Sequence, residues 1–280
     1  MTSHPVPPVR LLLVFPGAPL VRKAVRAGLD VRVVLDREHD VGALPLPEDG
    51  VVHVDRAQTP ETARIVRKLI AELGATHVLD GEGFPLRVPV PDEQPEGDLF
   101  GRELVPGWSR EPQESEAHQL VVTTLTVDGM HRVVGITERV EQGSSWTCVF
   151  PATLEESATG RVRAVVTSML DLVGHEFGPA QTRIELTGAE PRVVRSQPCF
   201  SIDRISDLIE AATGFDIATE FFRALSGAVL QPPAPRWFAA ARLSRLPRPA
   251  DGNQVSSVLV EGVSPDVVRA RLAEAELPPS

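Results

Sequence analysis

The first eighty residues alternate short, continuous apolar runs with stretches that are apolar on one helical face. Such runs predict buried strands, and the stretches between them predict helices. Strands that are apolar on both faces and are joined by helices form a parallel sheet covered on both sides. We therefore expect a Rossmann-like N-terminal domain over residues 1–84. The predicted strands are Leu11–Phe15, Val31–Leu35, Val51–Val54 and Ala75–Leu79, with helices after Gly17 and from Thr59 to Gly74.

A dinucleotide cofactor is not expected in this domain. Asp36 ends the second strand, where such folds place the carboxylate that binds the ribose. However, the first turn reads Phe15-Pro-Gly-Ala-Pro19 and lacks the G-x-G-x-x-G loop that approaches the pyrophosphate. The pattern therefore indicates a Rossmann-like fold that does not bind a dinucleotide.

A proline-rich stretch separates this half from a β-rich one. Six prolines lie between Pro85 and Pro112 without sustained periodicity, so we expect a linker or irregular cover over residues 85–118. Two β-rich runs around Asp128-Gly129 then predict a hairpin. A helix is expected from about Leu154 to Val173, where the apolar positions again recur at helical spacing.

A second predicted hairpin carries the candidate chemistry. Its strands, Gln181–Leu186 and Arg192–Gln197, flank a five-residue loop, and a regular register places Arg183 opposite Arg195 and Gln181 opposite Gln197. Opposed like charges destabilise a sheet unless solvent or an anion separates them. Two interpretations stay open: a solvated face with splayed arginines, or an anion clamp, since paired guanidiniums bind carboxylate or phosphate in bidentate fashion.

The same register assigns the neighbouring positions. Glu185 is expected opposite Val193, on the face of the two arginines. The other face presents Ile184, Leu186 and Val194, which makes it the core side.

Charge and cysteine content narrow the classes of function. The chain of 280 residues has 28 Lys plus Arg against 38 Asp plus Glu, a net charge of −10, and its basic residues are scattered. Nucleic acid and membrane are therefore not expected as partners, because phosphate binding needs a concentrated positive face. The two cysteines, Cys148 and Cys199, lie in no metal-ligand spacing, so no metal and no disulfide are expected. The cytoplasm is the expected compartment.

Five segments between Leu120 and about Leu225 occur in a characteristic order and spacing: Val133–Glu138, Phe150–Leu154, Gly178–Thr182, Asp203–Leu208 and Ala212–Asp216. In this order they resemble the ATP-grasp superfamily, in its branch of carboxylate–amine and L-amino-acid ligases. The resemblance implies a remnant ATP-grasp domain over residues 119–235 and a small C-terminal α/β segment over residues 236–280, which follow the family's Rossmann-like domain.

The departures from the family concern its magnesium and phosphate ligands. The resemblance places Arg183 and Arg195 where the family has metal-binding glutamates, and Gln197 where it has an asparagine. Cys199 occupies the position of the family's arginine that holds the substrate carboxylate, and Ser201-Ile202 occupy the positions of a glycine pair. The family's subdomain with a glycine-rich loop and a lysine corresponds here to the proline-rich stretch. Two carboxylate-to-arginine changes turn a cation site into an anion site.

These departures imply a truncated, degenerate ATP-grasp protein without ATP or magnesium chemistry. It would bind a small carboxylate- or phosphate-bearing ligand, amino-acid or peptide-like, or a partner enzyme, in natural-product biosynthesis. A homo-oligomer or a complex with that enzyme is expected, because loss of a subdomain exposes surface. The ligand-binding candidates are Arg183, Arg195, Gln181 and Gln197.

Two other functions stay open. The first is an ATP-independent enzyme in the old ligase cleft, with Cys199, Glu185 or His175 as nucleophile or acid/base. Each has a structural interpretation: Cys199 as a small buried residue, Glu185 as an ion-pair partner of Arg183 or Arg195, and His175 as a cation at a helix C-terminus. The second is a surviving ATP-dependent ligase with relocated metal ligands. Asp203 is interpreted as the cap of the helix that follows the hairpin.

Overall fold

The computed structural model describes residues 9–38, 42–54, 59–81, 83, 104, 118–143, 145–188, 190–245 and 255–275. They fall into two compact units. The first comprises residues 1–102 with 218–230, and the second comprises residues 103–217 with 231–280. Along the chain the elements are β1 (Arg10–Val14), α1 (Ala18–Arg26), β2 (Asp30–Asp36), β3 (Val51–Val54), α2 (Thr59–Leu73), β4 (His77–Asp80), β5 (His118–Val127), β6 (Met130–Gln142), β7 (Ser145–Phe150), α3 (Glu156–Leu172), β8 (Gly178–Thr187), β9 (Glu190–Gln197), α4 (Ile205–Thr213), α5 (Ile217–Leu225), β10 (Phe238–Arg245), β11 (Val255–Gly262) and α6 (Pro265–Glu274).

The first unit is built on a parallel four-stranded sheet with strand order β3-β2-β1-β4. The central strand β1 is buried on both faces from Leu11 to Val14. This burial explains its continuous apolar run, since parallel strands carry cover on both sides. Helix α1 begins at the Pro-containing turn after Gly17 and buries Ala18, Val21 and Ala24. The parallel sheet expected from the apolar runs is present.

The second unit is built on an antiparallel seven-stranded sheet with strand order β11-β10-β7-β6-β5-β8-β9. One face packs against α3 around Leu120, Ile184 and Val166, all fully buried. Farther along this face, α6 packs Val268 and Leu272 against Val149 and Ala240. Alternation along β8 puts Ala180, Ile184 and Leu186 on this face, so Gln181, Arg183 and Glu185 lie on the other.

The opposite face of the sheet is partly covered by α4. A Cβ on Gly135 of β6 would lie 2.7 Å from Cδ1 of Ile209 and 2.9 Å from Cε2 of Phe150, so α4 packs directly on the backbone of β6. Glycine is required there because any side chain would meet the helix. The rest of this face, along β5, β8 and β9, carries the hairpin arginines.

Two further segments, strand β7 and the residue Leu104, belong to the second unit. Strand β7, which the hydrophobic pattern does not predict, pairs antiparallel with both β6 and β10. Leu104, in the proline-rich stretch, is buried in the α3 core, and its backbone N–H donates to the carbonyl of Ser196 at 2.9 Å. Most of the expected linker or cover, and the phosphate-loop comparison that falls on it, lie outside the described residues.

Candidate functional site

The β8–β9 hairpin has the predicted pairing at the arginines and a shifted one toward its turn. Gln181 pairs with Gln197 and Arg183 with Arg195, which confirms the two pairs expected from the sequence. Beyond them the register shifts, so that Ile184 pairs with Val193 and the expected pairs of Ile184 with Val194 and Glu185 with Val193 are wrong. A β-bulge causes the shift, because it puts two residues of one strand opposite one of the other.

The bulge changes which residues face the core. Val193 is 6% exposed and packs with Ile184 under α3, whereas Val194, expected on the core side, is only half-buried. The bulge also brings Arg192 opposite Glu185. The extra residue on β9 lets Ile184 and Val193 both face the core, and it reverses the alternation of β9 between the bulge and the turn.

A third arginine joins the pair from strand β6. Val121 of β5 pairs with Arg183, and two residues earlier Gln119 pairs with Arg139 of β6. Residues two apart on a strand share a face, so Arg139 and Arg183 lie on the same face in adjacent rows. Arg139 is only 3% exposed and lies over the ring of Trp146, with Cζ 5.5 Å from the ring centroid.

Asp203 connects two of these arginines. Its Oδ2 accepts from Nε of Arg139 at 3.0 Å and from a terminal guanidinium nitrogen of Arg183 at 3.5 Å. Arg139 also donates to Oε1 of Gln119 at 3.2 Å and pairs with Glu141. We call Arg139, Arg183, Arg195 and Asp203 the arginine cluster.

The charges of the cluster are unevenly compensated. Burial, followed by the charges of Arg139 and Arg195, lowers the pKa of Arg183, even though Asp203 and Glu141 act in the opposite direction. The pKa of Arg139 is raised, because its hydrogen bonds and charge contacts with Glu141 and Asp203 outweigh its burial. Among the described residues, Nε of Arg183 is buried without a hydrogen-bond partner. Such a donor favours an incoming acceptor.

The two predicted glutamines differ in their availability. Gln181 is 1% exposed; its amide donates to the carbonyl of Phe200 at 2.9 Å and accepts from Oγ1 of Thr123 at 2.9 Å. It therefore ties β8 to β5 and to the loop before α4. Gln197 is half-buried on the outer strand β9, directly opposite Gln181.

Glu185 has a structural partner on the neighbouring strand. It is 6% exposed, and its carboxylate pairs with Arg192, the residue that the bulge brings opposite it. The expected pairing with Arg183 or Arg195 is not formed. An acid engaged in this way is poorly placed for proton transfer, which requires contact with a reacting group.

Both cysteines are buried and neither forms a disulfide. Cys199 is 3% exposed, as expected for a small buried residue. Cys148 pairs with Arg139 in the sheet, and burial, together with the charge of Asp203, raises the pKa of its thiol to about 12. Nucleophilic thiols need the thiolate form, which such a pKa disfavours.

His175 lies away from the arginine cluster. Its Nε2 contacts the carbonyl of Gly178 at 3.2 Å, and its ring stacks on His131 with centroids 6.3 Å apart. Gly178 is five residues from Arg183 along β8, a separation of roughly 17 Å in a strand. Burial lowers the pKa of His175 to about 4, so the ring is neutral and the expectation of a cation at the helix C-terminus is wrong.

Sequence reasoning missed two members of the cluster. Arg139 gave no local signal, because its role depends on strand pairings that bring together residues 119, 139 and 183. Asp203 was interpreted as a helix cap, but α4 has Arg204 at its N-cap position and no capping side chain, so that interpretation is wrong. Asp203 and Arg204 both adopt left-handed backbone conformations, with φ of 51° and 59°.

In the part of the chain that the structure describes, no group of three or more His, Cys, Asp or Glu residues is arranged to hold a metal ion. No helix in this part is long and apolar enough to cross a membrane.

Comparisons with solved structures define the fold. The chain is similar to the L-amino acid ligase of Bacillus licheniformis, with a TM-score of 0.63 and 14% identity over 95% of this chain and 96% of that one. It is also similar to glycinamide-RNase-transformylase T of Mycobacterium tuberculosis, with a TM-score of 0.61 and 14% identity over 95% and 98% of the two chains. Biotin carboxylase of Campylobacter jejuni gives a TM-score of 0.58 and 11% identity over 95% and 91%.

These structures are ATP-grasp enzymes, so the ATP-grasp fold expected from the sequence is confirmed. At these identities the likeness defines the fold and leaves the chemistry open. No family model and no curated protein matches the sequence.

Proposed function

We propose that this chain is an ATP-grasp-fold protein that binds a small anion at Arg183 and Arg195 in place of magnesium and ATP. The observation that carries the proposal is the direct pairing of Arg183 with Arg195 on β8 and β9, with Arg139 on the same face. Opposed like charges are costly in a sheet, so their presence favours a ligand of opposite charge.

The charge of this face supports the loss of magnesium chemistry. Magnesium requires hard, anionic oxygen ligands in near-octahedral geometry. Here the hairpin presents guanidinium and amide groups, and the guanidinium of Arg183 lies close enough to Arg139 and Arg195 for their charges to lower its pKa. Phosphoryl transfer depends on neutralising phosphate charge with metal ions and positioned cations. The carboxylates on this face, those of Asp203, Glu141 and Glu185, are each paired with an arginine. The proposal therefore assigns the face to an anion and not to a metal ion.

The proposed ligand is a small carboxylate or phosphate on an amino-acid or peptide-like molecule. Guanidinium groups form bidentate hydrogen bonds with both anions, and the buried Nε of Arg183 supplies an additional donor. The amino-acid character, and a setting in natural-product biosynthesis, come from the resemblance to the ligase branch. One structural neighbour is an L-amino acid ligase.

Isothermal titration calorimetry tests the proposal. The protein is titrated with acetate, inorganic phosphate and a panel of amino acids and dipeptides, and separately with ATP in the presence and absence of magnesium. We expect heat from at least one carboxylate or phosphate and none that depends on magnesium and ATP together. Arg183→Ala and Arg195→Ala should each abolish the anion signal.

The Glu185→Gln/Arg192→Ala double variant is the matched control. Arg192 also lies on β9, but its partner is the buried Glu185, so both charges of this pair are removed together and binding should be retained. If the Arg183→Ala and Arg195→Ala variants bind the anion as tightly as the wild-type protein, the proposed anion site is wrong.

A surviving ATP-dependent ligase is the second candidate, favoured by the similarity to an L-amino acid ligase over 95% of this chain. Magnesium-dependent ATP binding in the same titration would establish it and overturn the first. For an ATP-independent enzyme, no contact among the described residues supports Glu185, which is paired with Arg192, or His175, which lies near the far end of β8. Cys199 is buried.

We also propose the domain order expected from the sequence: a Rossmann-like domain over residues 1–84, a linker or cover over 85–118, and an ATP-grasp remnant without the glycine-rich-loop subdomain. A homo-oligomer or a complex with a partner enzyme fits such a remnant. Light scattering tests the homo-oligomer, and affinity capture from the producing cells tests the complex with a partner enzyme. A monomer that captures no enzyme would contradict it.

A further inference from the structure

One carboxylate, that of Asp203, already contacts Arg183 at the proposed anion site. Oδ2 of Asp203 lies 3.5 Å from a terminal nitrogen of Arg183 and 3.0 Å from Nε of Arg139. The side chain of Asp203 is 14% exposed and that of Arg183 is 26% exposed, so neither contact is fully solvated. An anion that approaches Arg183 meets the negative charge of Asp203 and competes with it for the same guanidinium.

The two arginines depend on Asp203 to different extents. Arg139 keeps Glu141, Gln119 and the ring of Trp146 as partners if Asp203 moves away. Arg183 has a long contact with Asp203 and a buried Nε for which the described residues provide no acceptor. A bound anion could therefore replace Asp203 at Arg183 and supply the missing acceptor, while Arg139 remains in place.

The backbone at Asp203 is suited to such an exchange. Asp203 and Arg204 are consecutive non-glycine residues with positive φ, at 51° and 59°. Asp tolerates this conformation, but it is unfavourable for a long side chain such as Arg. Arg204 is restrained by hydrogen bonds from Nε to Oδ2 of Asp207 at 2.7 Å and from its terminal nitrogen to Oγ of Ser257 at 3.1 Å. Residues held in this backbone region cluster at ligand-binding and switch segments.

We infer that Asp203 is an internal competitor for the anion site, which occupies Arg183 in the empty protein and is displaced when the ligand anion binds. This inference rests on the proposed function, because it assigns the intramolecular occupant of the same site. The free energy of ligand binding is then the difference between that of the ion pair of Arg183 with the ligand and that of the ion pair of Arg183 with Asp203. A ligand shifts such an equilibrium only by its differential affinity for the two states.

The Asp203→Asn variant tests the competition. Asn has the same shape and also tolerates a left-handed backbone, so the turn is preserved while the charge is removed. Acetate and inorganic phosphate are titrated calorimetrically into wild type and variant. We expect binding about ten-fold tighter in the variant, on the scale of removing one charge-assisted contact that favours the empty state. The control is Asp266→Asn, which removes the same charge from an exposed position on α6.

Two further measurements keep the inference testable if Asp203→Asn folds poorly. Asp203→Gly removes the carboxylate and relieves the positive φ, so it should give the same gain in affinity. In the wild-type protein, saturating acetate should accelerate amide hydrogen exchange around residues 203–206, because the released turn opens more readily.

If wild type binds the anion and the Asp203 variants bind it equally or more weakly, Asp203 positions Arg183 and does not compete with the ligand. This result would overturn the inference and leave the proposed function standing. Slower exchange around residues 203–206 with acetate would overturn the inference as well. Failure of every variant and of wild type to bind either anion would overturn the proposed function together with it. Binding in the variants but not in wild type supports both.

Discussion

Nε of Arg139 donates to Oδ2 of Asp203 at 3.0 Å, although 64 residues separate the two in the sequence. This contact joins the middle of the antiparallel sheet to the turn that opens α4. It also places two carboxylates, those of Asp203 and Glu141, around a guanidinium that is 3% exposed. The ion pair therefore stabilises the sheet and holds the turn beside the hairpin arginines.

Removing Arg139 should destabilise the protein strongly. Arg139→Gln leaves two carboxylates near one another without their shared cation, and breaking a buried ion pair from one side costs about 3–5 kcal/mol. Urea denaturation measures the change in the free energy of unfolding. Lys68→Gln is the control, because Lys68 and its partner Glu72 are both largely exposed and the loss of this pair should cost about 1 kcal/mol or less. A cost below about 1 kcal/mol in Arg139→Gln would show that the contact is not structural.

Removing Arg183 should have the opposite effect on stability. Burial and the charges of Arg139 and Arg195 lower its pKa, so its charged form is disfavoured in the folded protein. Arg183→Gln should therefore retain or raise the free energy of unfolding, by up to about 1 kcal/mol, while anion binding is lost. Residues in binding sites commonly lower the stability of the folded protein. A loss of more than about 2 kcal/mol would instead assign Arg183 a structural role.

Replacing Gly135 should strain the contact between α4 and β6. A Cβ there would lie 2.7 Å from Cδ1 of Ile209 and 2.9 Å from the ring of Phe150. Overpacking of this kind costs about 1–3 kcal/mol, so Gly135→Ala should lower the free energy of unfolding by that amount. In contrast, Gly160→Ala in α3 has no atom within 4 Å of the new Cβ and should stabilise the protein by about 0.5–1 kcal/mol.

Ile209→Val provides the second half of this test, because it removes Cδ1. The Gly135→Ala/Ile209→Val double variant should lose less stability than the sum of the two single variants. Additive losses would show that α4 does not rest on Gly135.

His175 should make the protein sensitive to acid. Its pKa is about 4 in the folded protein, lowered from 6.5 chiefly by burial, so the unfolded chain takes up a proton first as pH falls. The free energy of unfolding should then fall between about pH 6.5 and 4, by up to about 3 kcal/mol.

His175→Gln should flatten this part of the pH profile, measured as melting temperature or urea midpoint against pH. His53→Gln, at an exposed histidine, should leave the profile unchanged. An identical slope in wild type and His175→Gln would contradict the assignment of a neutral, buried imidazole.

Neither cysteine should react in the native protein. Cys148 and Cys199 are 0% and 3% exposed, and the pKa of Cys148 is raised to about 12. Ellman's reagent at pH 8 should therefore label less than one thiol over an hour in native buffer and two thiols in guanidinium chloride. Rapid native labelling that disappears in Cys199→Ser would restore Cys199 as a candidate nucleophile.

Much of the candidate hairpin could be predicted from local sequence. The pairs Gln181 with Gln197 and Arg183 with Arg195 follow from alternating polarity and from the short loop between the strands, and both are observed. The bulge next to Arg183 could not be predicted, because Val193 and Val194 are equally apolar. Only packing against α3 selects Val193 for the core.

The sequence by itself determined the parallel strands with α1 and α2 in the first unit, and the β5–β6 hairpin, the β8–β9 hairpin and α3 in the second. Through its resemblance to known ligases it also determined the ATP-grasp fold. Apolar periodicity and turn residues are local signals, and they specify strands and helices wherever burial requires them. The tertiary structure alone decided the membership of the arginine cluster. Arg139, Arg183 and Asp203 come from three distant segments, and their charges act on one another only because strand register and the turn before α4 bring them within 4 Å. Coulomb energies depend on distance and burial, which no local pattern encodes.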